Sequence, residues 1–166
     1  MTNGELPDWD RIVEHHAGRG FRVALRILRS VQDAEDVSQD VFTAAFQLHK
    51  AGPVQSWTGL LVRLATLRSL DRLRRNRPSV ELREGDRMST AEPFEELEAR
   101  ELADWLRMAI AQLPDQQATV FVMHHFEQLP RDDISAALGV SPETVSTALY
   151  KARQRLLRQL AVFNQK

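Results

Sequence analysis

The sequence predicts an all-α protein: two small helical domains joined by a flexible linker, the second containing a helix-turn-helix. Three observations carry this expectation. Apolar residues recur at threes and fours along most of the chain, as one buried face of a helix requires. Valine, isoleucine and threonine never alternate in runs bounded by turn residues, so no strand is expected. Residues 78 to 94, PSVELREGDRMSTAEPF, break the periodicity with two prolines, a glycine and scattered charge, and have little apolar surface to bury.

The first domain is expected over 1–77 and the second over 95–166. In the first, Ile12, Val13, the stretch 21–31, Val37, Val41, Phe42, Ala45, Phe46 and Leu48 follow helical spacing. Asp33, with Asp36 three residues on, reads as a helix start. Ala51-Gly52-Pro53 stops that run. A second long helix is predicted from about 56 to 75, with Leu60, Leu61, Leu64, Leu67, Leu70 and Leu73 on its buried side. In the second domain Leu97, Leu102, Trp105, Leu106, Ala109, Ile110 and Leu113 resume the helical period. Pro114 can open a helix carrying Val120, Phe121, Val122 and Phe126.

A short helix is then predicted over 130–138, its first turn holding Asp132 and Asp133 at the positive end of the dipole. Gly139 can take the left-handed conformation that ends it. Ser141 is a good N-cap, Pro142 suits the first helical position, and Glu143 favours the dipole. Val145, Leu149, Ala152, Leu156 and Leu160 make one apolar face, and small Ser135 and Ala136 would let the two helices cross closely. Such a hinge projects its second helix into the major groove, although a plain helical hairpin has the same signature. Lys151, Arg153, Arg155 and Arg158 follow and could neutralise phosphates, each adding roughly 0.9 to the salt slope of log affinity. The first exposed positions of the second helix read as Ser146, Thr147 and Ala148, which lack arginine's bidentate grip on guanine. Phosphate positioning is well provided for and base reading only weakly.

Charge reads as two electropositive faces and an acidic connector. The formal net charge is −1, but six arginines stand against one acid between 63 and 77. Nine acids stand against three arginines from 81 to 104, and five cations with no acid run from 151 to 166. Distribution, not total, is the informative quantity. An apolar content of 43% suffices for packed cores. The absence of cysteine excludes disulfides and thiolate metal sites and fits a reducing cytoplasm. No signal peptide and no membrane span is expected, so the protein is expected to be soluble and cytoplasmic. His124, His125 and Glu127, like Glu14, His15 and His16, lack the i, i+4 histidine pair of a helical zinc site. No nucleophile elbow, phosphate loop or spaced carboxylate pair is present; neither catalysis nor a cofactor is expected. Trp9, Trp57 and Trp105 read as core.

Two stretches, taken together, carry a resemblance. "DAEDVSQDVFTAAF" (33–46) with "SWTGLLVRLATLRSLDRLRR" (56–75), and "LPDQQATVFVMHHFEQLPRDDISAALGVSPETVSTALYKARQRL" (113–156), resemble regions 2 and 4 of a bacterial extracytoplasmic-function sigma factor. These are small promoter-specificity subunits of RNA polymerase within the sigma-70 family. The resemblance implies that Asp36, Gln39, Asp40 and Phe42 meet the polymerase clamp helices, with Asp36, Gln39 and Asp40 on one side of a helix and Val37 and Val41 inward. It implies that Arg63, Arg68, Arg72, Arg74 and Arg75, a cationic block with nothing acidic opposite it locally, contact the −10 element. The loop 49–56 lies where the family captures a flipped base. It further implies that Pro142, Glu143, Thr144, Ser146, Thr147, Tyr150, Lys151 and Arg153 face the −35 element, while the second domain seats on the polymerase β flap. The implied partners are core polymerase, promoter DNA and an anti-sigma factor, with a monomer when free.

Three departures from the family's pattern stand out. Leu60-Leu61 replaces Trp-Leu, with Leu67 at about the position of an Asn; Trp57 replaces Phe; and Val145-Ser146-Thr147-Ala148-Leu149 replaces Val-Lys-Ser-Arg-Leu. The last removes two cations from the DNA-facing helix. Two rival readings stay open: a stand-alone helix-turn-helix regulator, which has no need of the acidic 36–40 face, and a sigma-like decoy that binds polymerase or an anti-sigma factor but barely touches DNA.

Overall fold

A computed structural model describes residues 8–76 and 94–165, so all but the last residue of the expected linker lies outside the described residues. The helices are α1 (Trp9–Leu28), α2 (Val31–Ala51), α3 (Trp57–Arg75), α4 (Phe94–Ala111), α5 (Asp115–Phe121), α6 (Arg131–Leu138) and α7 (Pro142–Phe163). A π-helical turn, Val122–Phe126, follows α5 directly. There is no strand among the described residues.

Local chemistry explains most of the boundaries. α1 ends where Arg29 adopts a left-handed conformation (φ 52°) and its amide donates to Leu25 O at 2.8 Å. α2 starts two residues earlier than the Asp33 signal suggests, because Ser30 is the cap: its hydroxyl accepts from the Asp33 amide at 3.2 Å. Asp33 then sits in the first turn, favoured by the helix dipole. Ser56 caps α3 in the same way, accepting from the Gly59 amide at 3.0 Å.

The turn between α6 and α7 forms as its residues dictate. Gly139 has φ 65°, Ser141 Oγ accepts from the Thr144 amide, and Pro142 occupies the first turn of α7. The expected close crossing through Ser135 and Ala136 does not occur. Ala136 is exposed, and the Ser135 hydroxyl donates to Val140 O at 2.6 Å, bracing the turn instead.

α3 organises the molecule. It packs on α1 and α2 on one side and on α4, α5, α6 and the π-turn on the other. One hydrophobic cluster therefore runs through both halves, from Val23, Ile27, Val37 and Leu61 to Ile110, Met123, Ile134 and Leu149. This position changes the face that α3 buries. Leu61 and Leu70 are fully buried, but Leu60, Leu64, Leu67 and Leu73 only partly, while Gly59, Val62, Ala65, Thr66 and Ser69 complete the buried surface. A helix covered on two sides needs small residues where its neighbours approach. Thr66 is tolerated there because its hydroxyl donates to Val62 O at 2.8 Å.

Candidate polymerase and nucleic-acid interfaces

The acidic face of α2 is laid out as its spacing requires. Asp36, Gln39 and Asp40 are exposed together, one turn apart, while Val37 and Val41 are buried beneath them. Phe42 is half-buried, its ring edge-on to Trp9 at 6.2 Å, and it lines a shallow groove between α1 and α2 with Val13, Phe21 and Gln39. It is thus a core-edge residue that still reaches the surface beside Gln39. Trp9, Phe42, Phe46 and Trp57 form an edge-to-face cluster at this end of α2, which accounts for two of the three tryptophans. Trp105 packs against Phe163.

The arginines of α3 divide into two groups. Arg63, Arg68 and Arg75 are exposed. Arg72 instead bridges to α2, its guanidinium 2.6 Å from Asp33 and 3.2 Å from Asp36. Arg74 has four acceptors: Ala111 O at 2.6 Å, Asp71 at 3.0 Å, Asp115 at 3.2 Å and Leu113 O at 3.4 Å. The expectation of a cationic block with nothing acidic opposite it is therefore corrected. The acids are present, but three of the four come from α2 and α5, distant in sequence. Arg74 also satisfies the last carbonyl of α4, a favourable place for a cation.

On α7, Pro142, Glu143, Thr147, Tyr150 and Lys151 are exposed, and Thr144, Ser146 and Arg153 are half-buried. Ala148 is not on this face: it is 4% exposed and lies with Val145, Leu149, Ala152 and Leu156 on the core side. Placing it at the surface was an error of helical phase, since 148 falls three residues after Val145 and one before Leu149. Arg153 points toward the π-turn, donating to His125 Nε2 at 3.3 Å. That contact needs the unprotonated nitrogen. The His125 pKa is held below the usual histidine value by burial, then by the neighbouring His124 and by Arg153.

Sequence reasoning missed a cation that lies beside the first turns of α7. Arg131, the first residue of α6, is exposed and its guanidinium reaches Ser146 Oγ at 3.4 Å. It stands beside the neutral position from a different helix, and its only sequence signal is its place at the head of the first helix of the motif. Gly59 was missed as well. A Cβ there would lie 2.1 Å from Ala137 Cβ, so α3 and α6 touch backbone to side chain. An isolated glycine inside a helical pattern was the signal that could have found it.

With these faces in view, comparison with known proteins is decisive about kinship. Residues 12–78 match the family model described as Sigma-70 region 2, and residues 103–156 match the one described as Sigma-70, region 4. The chain is 33% identical over 165 residues to ECF RNA polymerase sigma factor SigE of Mycolicibacterium smegmatis, covering 94% of this chain but 63% of that protein. It is 26% identical over 173 residues to ECF RNA polymerase sigma factor SigW of Bacillus subtilis, covering 96% and 92%. Two solved structures share the fold. One is CnrH in complex with the cytosolic domain of CnrY, with TM-score 0.60, 20% identity and coverage of 96% and 91%. The other is the sigma factor RpoE in complex with the anti-sigma factor NepR from Bartonella quintana, with TM-score 0.51, 18% identity and coverage of 93% and 98%. The chain belongs to the sigma-70 family, in its extracytoplasmic-function branch.

Proposed function

We propose that this chain directs core RNA polymerase to one class of promoters, acting in the cytoplasm as a monomer when free and doing no chemistry itself. The observation that carries the reading is the pairing of two surfaces on one chain: an exposed acidic face on α2 and a helix-turn-helix built by α6 and α7. A DNA-binding regulator needs only the second. The division into residues 1–77 and 95–166 follows from it, one part gripping polymerase and the −10 element, the other the β flap and the −35 element.

The roles follow from chemistry. Asp36, Gln39 and Asp40 offer acceptors to a basic helical surface such as the clamp helices, with Phe42 as the apolar contact beside them. Arg63, Arg68 and Arg75 are free to neutralise phosphates near the −10 element. At the −35 element Pro142, Glu143, Thr147, Tyr150 and Lys151 are accessible on α7, and Arg131 brings the cation that Ser146 and Thr147 lack. Arg131 favours a promoter-binding factor over a decoy, because it restores a guanidinium where bases are read. The two solved neighbours, each in complex with a partner protein and one of them with an anti-sigma factor, support an anti-sigma factor as a further partner.

Gel filtration with purified core polymerase tests the first contact. The wild-type chain should co-elute, and Asp36→Lys with Asp40→Lys should weaken binding by at least about tenfold, in line with the loss of close interfacial charge pairs. Undiminished binding by the double variant would exclude this surface as the polymerase contact.

A further inference from the structure

Ala99, Arg100, Ala103, Leu106 and Arg107 follow one another at spacings of three and four, so α4 turns a single face of small, apolar and cationic residues. That face lines a cleft of about 770 Å³ where α4 meets the end of α1 and the π-turn. α1 adds Arg26 and Arg29, and the π-turn adds His125 and Phe126. None of these arginines belongs to the cationic face of α3 or to the helix-turn-helix.

The charges around the cleft do not cancel. Arg29 lies 2.7 Å from Asp104, and Arg107 donates to the same carboxylate oxygen. Glu127 is shared in the same way, 3.5 Å from Arg19 and 3.6 Å from Arg26. Each carboxylate thus answers two guanidiniums, leaving one positive charge at each pairing before Arg100 is counted. Packing alone gives no reason for an excess that repels itself. Arg107 is held by donating to Ile27 O at 3.2 Å, while its buried Nε has no hydrogen-bond partner among the described residues. Arg26 and Arg29 are about half exposed and can turn toward an incoming anion.

Backbone conformation singles out the same place. Arg29 (φ 52°) and Gln128 (φ 55°) are the non-glycine residues with left-handed backbone among the described residues, and both line the cleft. Glycine is the common occupant of a helix-ending position such as that of Arg29. An arginine there accepts conformational strain, and a guanidinium at the cleft is what the position gains.

We propose that this cleft binds a small, multiply anionic molecule with a planar ring, a nucleoside di- or triphosphate. Guanidiniums grip phosphate oxygens through paired N–H donors. The ring is received by Leu106, the two alanines and Phe126. The volume falls within the range of roughly 300–1,000 Å³ common to small-molecule sites. Arg29 and Arg107 converge on one carboxylate oxygen, which suits a compact group of several charges better than phosphates strung along a strand. The proposal goes beyond the promoter-binding reading and uses none of its contacts.

Calorimetric titration of the full chain tests it, with ATP, GTP, inorganic tripolyphosphate and adenosine at a fixed ionic strength of about 0.15 M, without divalent cations. ATP or GTP should bind with a Kd of about 1 mM or below. Tripolyphosphate should bind at least about threefold more weakly for want of the ring, and adenosine at least about tenfold more weakly for want of the charge. Ala103 is exposed, so Ala103→Glu places a carboxylate in the cleft without disturbing the core. It should weaken nucleotide binding at least about tenfold, while Ala103→Gln, alike in size but uncharged, should weaken it less than about threefold. Arg29→Gly removes a guanidinium where glycine fits the backbone, and should cost at least about fivefold in affinity with helix content intact by circular dichroism. No binding of either nucleotide at about 1 mM would overturn the site. Tripolyphosphate binding as tightly as the nucleotides would overturn the nucleotide assignment. Wild-type affinity in both Ala103→Glu and Arg29→Gly would place the ligand elsewhere on the chain and overturn this cleft. No polymerase or promoter enters the titration, so a failure of the sigma reading registers separately, in the co-elution experiment.

Discussion

His125 shows how one side chain ties acidity to the second half of the fold. Its ring stacks on Phe121 at 4.5 Å between centroids, and its Nε2 accepts from Arg153. Burial, His124 and Arg153 all disfavour its protonation, so its pKa in the fold lies below that of the unfolded chain, near 6.5. The sign follows: the unfolded state takes up the proton first, and stability present above pH about 6.5 is lost as pH falls toward the folded pKa. His16 contributes in the same direction, through burial first and then His15 and Arg19. Thermal melts between pH 7 and 5 should therefore show a declining Tm, and His125→Gln should flatten the decline by roughly 1–3 °C. A wild-type curve that is level across this range, or a variant that falls as steeply, would count against this placement of the ring. None of this was legible in the sequence, where His124 and His125 could be judged only against metal-site spacing.

At the scale of elements, what was legible is what is local. Gly139, Ser141 and Pro142 determine the α6–α7 turn within four residues, and the structure realises each of those roles. α3 was legible in extent, because Ser56 caps it and the leucines mark its course. Its two-sided burial was not, since which residues are small enough to meet α6 depends on a partner about eighty residues away. The π-turn was also illegible: it depends on one-residue-longer backbone bonds, such as the Glu127 amide to Val122 O at 3.1 Å, which side-chain periodicity does not encode. The start of α2 was misread because Asp33 and Asp36 imitate a cap while Ser30, the residue that performs it, follows an arginine in the left-handed region. Helical phase on α7 makes a prediction at this scale. Thr147→Arg, on the exposed face, should raise affinity for DNA containing the −35 element several-fold, with a salt slope steeper by roughly 0.9. Ala148→Arg should instead destabilise the protein by about 3 kcal/mol or more, because it drives a guanidinium into a core position with no partner. Chemical denaturation and DNA binding of the two variants check both halves; equal behaviour at 147 and 148 would contradict the orientation assigned to α7.

For the whole molecule, no helix among the described residues is long and apolar enough to cross a membrane, and the charged residues of α2 and α3 acquire distinct uses. The arginines of α3 are shared between an exposed cationic face and a seam with the second half. The acids of α2 are shared between an outward face and the anchoring of Arg72. The exposed Phe94, Leu97 and Leu102 of α4, with Leu157 and Val162 of α7, leave the second half with apolar surface beyond what its own core covers. A half that works against a polymerase surface has a use for such residues. The kinship with sigma-70 regions 2 and 4 was legible because each motif is contiguous and the two occur in order. The contact between the two halves was not, because its ion pairs join Arg19, Arg26, Arg29 and Arg74 to acids 41 to 108 residues away. The measurement that tests the central claim most directly is run-off transcription from fragmented genomic DNA by purified core polymerase, with and without this protein. Discrete new transcripts that depend on the protein, and that fade with Asp36→Lys and Asp40→Lys, are the predicted result. A transcript pattern indistinguishable from core polymerase alone, with the same enzyme responding normally to another sigma factor, would contradict it.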